Sequence, residues 1–144
     1  MSASNGRFIA YDNGTVLDTS TNMMWAAMDN GRNVNWANAK SYCENYRGGG
    51  YTDWRIPTQE ELAGLYDKTK RYKAECEYYV FLTPLIRLTC TWVWAAETRG
   101  STGANLDFNP GYRNWLPPSS AGARNWTPKS ESFYGRALPV RSAK

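Results

Sequence analysis

The chain has 144 residues, 42% of them hydrophobic, which is enough to build one domain with a substantial buried core. It contains no histidine, so the commonest general base and zinc ligand is absent. No apolar run comes near the roughly 20 residues that cross a bilayer, which argues against membrane insertion. The formal net charge of +4 at pH 7 favours acidic partners instead.

A β-hairpin is predicted close to the N-terminus. Residues 7–11 and 15–18 flank an Asn13-Gly14 pair, which favours the positive φ of a tight reversal. Residues 23–27 predict a third strand, because their apolar side chains resume after a polar turn.

Two helices are predicted in the middle of the chain. Asn35 can cap the first, whose apolar residues recur at steps of three and four until the glycines at 48–50. The second begins at Pro57 or Thr58, because Thr58 and Glu61 form the Thr-x-x-Glu pattern of a capping box. Its core-facing residues are Leu62, Leu65 and Tyr66.

The segment between these helices contains the most distinctive motif, Gly-Tyr-Thr-Asp-Trp-Arg-Ile-Pro-Thr at residues 50–58. Asp53 and Arg55 flank Trp54, which we expect to be buried. Charged side chains beside a large aromatic at the start of a helix favour a structural role, in which hydrogen bonds lock the local geometry.

The C-terminal half predicts strands separated by long loops. Residues 91–96, 105–108 and 136–141 have strand patterns. Residues 109–129 contain prolines, glycines and two tryptophans in irregular order, so we expect a binding loop there. Cys76 and Cys90 enclose thirteen residues, and their closure would contribute roughly 3 kcal/mol in an extracellular protein. Cys43 is then a free, buried cysteine.

The order of these motifs, including the Asp-Trp-Arg-x-Pro-Thr core, resembles a bacterial family that includes the C-terminal domain of the Legionella collagen-like adhesin. The resemblance runs from about residue 8 to residue 141. It implies an α+β, C-type-lectin-like domain with two helices on antiparallel strands, found on secreted or surface proteins. It also implies a trimer that binds sulfated glycosaminoglycans. Many members pair a cysteine at the position of Cys43 with one in the last strand, which this chain lacks.

The N-terminal residues lack the apolar core of a signal peptide. Since the resembled family is secreted, we expect residues 1–6 to be a start segment or linker and residues 7–144 to form one domain of a longer extracellular or cell-surface protein.

We expect no enzymatic activity, cofactor or metal. No nucleophile elbow, phosphate loop or dinucleotide fingerprint occurs in the sequence. The calcium-chelating tripeptides of sugar-binding C-type lectins are also absent, and acidic residues are sparse in the C-terminal half. Any sugar binding is therefore predicted to be calcium-independent.

The distribution of charge suggests where a ligand binds. Residues 1–72 hold eight basic and eight acidic residues, whereas residues 73–144 hold nine and five. We predict a basic, aromatic-rich surface for acidic polysaccharides or host extracellular matrix, because guanidinium groups match sulfate and aromatic rings stack on sugars. Its predicted residues are Arg113, Arg124, Lys129, Arg136, Lys144, Trp115 and Trp126, with a second basic cluster at Lys68, Lys70, Arg71 and Lys73.

Two alternatives remain open. The domain could display the loop at 109–129 to a protein ligand, with Trp115 and Trp126 as anchors, as retroelement-diversified lectin-like domains do. It could also serve only to assemble trimers. No nucleic-acid recognition motif is present.

Overall fold

Two sheets form the framework of the domain in a computed structural model that describes residues 2–109, 122–132 and 135–143. The α+β class predicted from the sequence is confirmed, with mostly antiparallel pairing and two α-helices in the described residues. The strands are β1 Ser2–Asn5, β2 Phe8–Tyr11, β3 Thr15–Asp18, β4 Met23–Ala26, β5 Tyr72–Lys73, β6 Tyr79–Val80, β7 Trp92–Arg99, β8 Thr102–Asp107, β9 Ala123–Pro128, β10 Gly135–Arg136 and β11 Val140–Ser142, and the helices are α1 Trp36–Asn45 and α2 Gln59–Ala63.

The first sheet has the order β1-β2-β3-β4-β11 and is antiparallel throughout. The predicted hairpin is its centre. Gly14 has a φ of +84°, and the Asn13 side chain accepts hydrogen bonds from the backbone N–H and the hydroxyl of Thr15 at 3.2 and 2.6 Å. Ser2–Asn5, expected as a start segment or linker, pairs with β2 as an edge strand.

The second sheet has the order β10-β7-β8-β9, with β10 parallel to β7 and the other pairs antiparallel. Its edge strand β9 lies within the segment that the sequence predicted to be loop. The predicted strand at 136–141 is instead two short strands, one in each sheet. Pro139 lies between them, and proline cannot donate a backbone hydrogen bond to a ladder.

The helices are short and firmly capped. The Asn35 side chain accepts the backbone N–H of Asn38 at 2.9 Å, which confirms the predicted cap of α1. The capping box of Thr58 and Glu61 is complete, but α2 ends at Ala63, earlier than its predicted extent. No helix of the described part of the chain is long and apolar enough to span a membrane.

The core has two parts. The larger lies between the sheets and α2 and includes Trp25, Leu62 and Leu106. The smaller one joins α1 to the second sheet through Ala39, Cys43, Ile56, Trp94 and Ala137. Cys43 is free and fully buried, and burial raises the pKa of its thiol. It therefore acts as a small apolar side chain, as expected.

Candidate functional site

The residues 50–58 motif holds the C-terminal strand against α2. Arg55 donates two parallel hydrogen bonds to the Glu61 carboxylate, at 2.9 and 2.8 Å, while its backbone pairs with Val140. Asp53 accepts hydrogen bonds from Arg141 at 2.6 and 3.2 Å, which lower the pKa of the Asp53 carboxyl. Trp54 is 3% exposed. These contacts support a structural role for the motif.

Arg136 was predicted to belong to the ligand-binding set, and the structure corrects this prediction. Its side chain is buried, with the residue only 9% exposed, and Nε donates to the Thr89 hydroxyl at 2.6 Å. A second guanidinium nitrogen donates to Asn33 Oδ1, and the buried Asp29 carboxylate lies 3.9 Å from Nε. Burial lowers the pKa of Arg136 and raises that of Asp29. Arg136 is therefore committed to the interior.

The other described members of this set do not converge. Arg124 pairs with Glu60 at 2.8 Å on the face of the sheet that also carries Trp126, because alternate residues of a strand share a face. Trp126 packs partly on the core and is covered by the Arg99 guanidinium, 3.9 Å from its ring centroid.

Lys129 points away from that face. Its ammonium lies 5.3 Å from the ring centroid of Trp36, and that ring lies directly over Gly103. Gly103 is next to Ala104, which pairs with Trp126 in the neighbouring strand, and consecutive residues of a strand face opposite sides of the sheet. Lys129 and Trp126 therefore lie on opposite faces. The single basic surface predicted from the sequence is thus not formed by its described residues. Arg113, Trp115 and Lys144 lie outside the described residues.

The second predicted cluster lies within six consecutive residues. We call residues 68–73 the basic loop. Arg71 stacks on the exposed Tyr79 ring at 4.7 Å, and Lys73 pairs with Glu77 at 3.1 Å. Lys68 and Lys70 form no salt bridge with any described residue. Asp67 is the neighbouring acid. Hydrogen bonds from Thr69 lower its pKa, and the nearby charge of Lys70 lowers it further.

A disulfide fixes the segment that follows this loop. Cys76 and Cys90 are bonded, with their Cα atoms 5.4 Å apart, which is within the usual range. The Cys76 N–H also donates to the Thr89 carbonyl at 3.2 Å, and the Ala74 N–H to Tyr78 at 2.8 Å. The segment between β5 and β6 is therefore tied to the residues around Cys90.

A cleft of about 820 Å³ lies beside α1 and was not predicted from the sequence. Five asparagines, two serines, two tyrosines, two arginines and Val34 line it, and none of these described lining residues is acidic. We call it the asparagine cleft. Its arginines are Arg32 and Arg47. The signal in the sequence was the presence of all five asparagines between residues 30 and 45, spaced so that the loop and one side of α1 share them.

Potential metal ligands are dispersed over the described part of the chain. There, no group of three or more histidine, cysteine or acidic side chains is placed to hold a metal ion.

These observations define a small, disulfide-bridged α+β domain whose distinctive surfaces are a basic loop and an open polar cleft. A family model described as the Lcl C-terminal domain matches residues 14–141, and the chain belongs to this family. The resemblance identified from the sequence is thereby confirmed. Membership makes the chain an adhesin-related domain and indicates a surface or secreted protein. No curated protein and no solved structure matched the chain.

Proposed function

We propose that the domain is an extracellular adhesin module that binds sulfated glycosaminoglycans or other acidic polysaccharides through the basic loop. The observation that carries this proposal is the placement of four cations within six residues, of which Lys68 and Lys70 form no salt bridge with a described residue. Family membership in an adhesin-related group supports it.

The chemistry of the basic loop suits a polyanion. Lysine ammonium groups on long flexible side chains attract sulfates without requiring one fixed geometry. Their binding releases counterions that were condensed on the polysaccharide. Tyr78 and Tyr79 add exposed aromatic rings beside the cations, and aromatic rings offer faces for sugar stacking. By contrast, the described arginines of the C-terminal set are paired or buried: Arg124 pairs with Glu60, and Arg136 lies in the interior.

The proposal extends to the arrangement of the whole module. We propose a C-type-lectin-like scaffold that acts as a homotrimer without calcium and engages host extracellular matrix. A trimer would present three basic loops to one polysaccharide, which raises avidity by orders of magnitude without new contacts.

Retention on immobilised heparin tests the site. The variant Lys68→Ala/Lys70→Ala/Arg71→Ala removes three cations from the basic loop, and we expect its elution to shift to much lower salt. The matched control is Lys40→Ala/Arg99→Ala/Arg124→Ala, which changes the net charge equally at exposed positions elsewhere.

The control variant should elute close to the parent chain. Equal shifts in the two variants would mean that heparin senses only net charge, and the basic loop would then be rejected as a site. Light scattering of the purified domain checks the trimer separately, and added calcium or chelator should leave the elution unchanged.

A further inference from the structure

The asparagine cleft differs from the basic loop because several of its lining side chains are held by hydrogen bonds to the protein. We infer that it is a second binding site, selective for a single acidic sugar unit that carries one carboxylate or sulfate group. This inference concerns different residues from the basic loop and does not depend on polyanion binding there.

Three of the five asparagines in the cleft already use their side-chain oxygens as acceptors within the protein. Asn30 Oδ1 accepts the Ala137 N–H at 2.9 Å, and Asn35 Oδ1 accepts the Asn38 N–H at 2.9 Å. Asn33 Oδ1 accepts a hydrogen bond from the buried Arg136. Each of these bonds fixes a carboxamide and leaves its Nδ2 group as a donor.

The two arginines of the cleft supply positive charge. Arg47 Nη1 donates to the backbone carbonyls of Glu44 and Tyr46 at 3.0 and 2.8 Å, which holds the guanidinium in place without neutralising it. Arg32 is exposed and forms no salt bridge with a described residue. A planar guanidinium matches a carboxylate or sulfate with two parallel hydrogen bonds.

Tyr42 and Tyr46 complete the lining. Partial burial raises the pKa of both hydroxyls, so they remain protonated donors at neutral pH. Their rings lie 6.0 Å apart between centroids, and Tyr46 is held edge-on against Trp54 at 5.0 Å. This gives the cleft a fixed aromatic wall beside its donors, and the combination matches a sugar ring with acceptor hydroxyls and one anionic group.

The volume of the cleft supports a ligand of this size. About 820 Å³ lies within the usual range of roughly 300 to 1,000 Å³ for small-molecule sites. The described lining residues include two arginines and no carboxylate, which disfavours a cation. An uncharged sugar would leave both arginines without an anionic partner. The acidic group is therefore the expected determinant of selectivity.

The test is a titration of the ¹⁵N-labelled domain with glucuronate, glucose 6-sulfate and glucose, followed by amide and side-chain NMR shifts. We expect saturable shifts around the cleft with at least one acidic sugar and much weaker ones with glucose. The two acidic sugars distinguish a carboxylate from a sulfate preference. Arg47→Gln should weaken binding by about tenfold, as loss of a charged hydrogen-bond partner does, and Arg32→Gln should add to this loss.

Two comparisons keep the inference separate from the proposed function. The basic-loop triple variant should retain the acidic-sugar shifts, whereas Arg32→Gln/Arg47→Gln should lose them and still bind heparin. Equal shifts with glucose, shifts mapping outside the cleft, or no saturable shifts with either acidic sugar would overturn the inference.

Discussion

The arginines that pair with carboxylates within the fold and the cations of the basic loop use positive charge for different purposes. Arg55, Arg136 and Arg141 each contact a carboxylate, and they connect strands and helix termini. Lys68 and Lys70 lie in the basic loop and form no salt bridge with a described residue. The difference shows that a count of cations along the chain does not locate a polyanion surface, because the partner of each cation decides whether its charge is available.

The largest effect should come from Arg136, since its removal leaves Asp29 buried without its nearest cation. We expect Arg136→Met to lower the free energy of unfolding by about 3 to 5 kcal/mol, measured by urea denaturation at pH 7. The control is Asp29→Asn/Arg136→Met, which removes the buried charge as well and should recover part of the loss. A single-variant loss below about 1 kcal/mol would contradict a buried structural role for Arg136.

The destabilisation caused by Arg136→Met should also depend on pH, because Asp29 can ionise. Its pKa is raised in the folded protein mainly by burial, against the hydrogen bonds from Thr89 and Gly31. A carboxyl with a raised folded pKa takes up a proton on folding, so its ionisation lowers stability as the pH rises through that pKa. Without Arg136, which favours the charged form, the destabilisation of the single variant should be smaller at mildly acidic pH than at pH 7.

A smaller effect is expected at the Arg55–Glu61 pair, which is partly exposed. Burial raises the pKa of Glu61, but hydrogen bonds from Arg55 and Thr58 outweigh it, and the net shift is downward. The resulting stabilisation is complete above the unfolded pKa of about 4.3 and is lost as the pH falls through the folded value. Arg55→Met should therefore cost about 1 kcal/mol at pH 7 and clearly less near pH 3.

The exposed Glu60 on the same helix provides the comparison. Glu60→Gln should cost less than Arg55→Met at pH 7, because the Glu60 side chain is far more exposed. If the cost of Arg55→Met were the same at pH 3 and pH 7, the ion pair would not be the source of the stabilisation.

Local signals predicted the N-terminal half of the fold well. The Asn13-Gly14 turn, the Asn35 cap and the Thr58–Glu61 capping box each act over a few residues, so their sequence pattern alone was sufficient. The C-terminal half depends on pairing between distant strands. Nothing local to residues 135–142 indicates that Pro139 separates one strand from another in a different sheet.

The difference between local and long-range contacts also explains which parts of the candidate site could be predicted from the sequence. The basic loop was found because its cations are adjacent in sequence, and adjacency guarantees proximity. The burial of Arg136 required contacts with Asp29 and Thr89, which lie 107 and 47 residues earlier in the chain. The asparagine cleft likewise depends on how the segment before α1 packs against the helix, and that packing was not visible in the sequence.

The smallest effect on stability is expected at the exposed Arg124–Glu60 pair. Arg124 contacts Glu60 at 2.8 Å, but both side chains are largely exposed. We expect Arg124→Ala to change the free energy of unfolding by about 0.5 kcal/mol or less, because solvent and salt screen such pairs. Urea denaturation at low and high salt checks this, and the difference from the parent chain should shrink as salt rises. Heparin elution should move only slightly. The contrary outcome is that Arg124→Ala alone reproduces most of the loss of heparin retention expected from the basic-loop triple variant. In that case, an exposed cation paired with an acid would be a principal ligand contact. Pairing with an acid would then not decide whether a cation is available to a ligand.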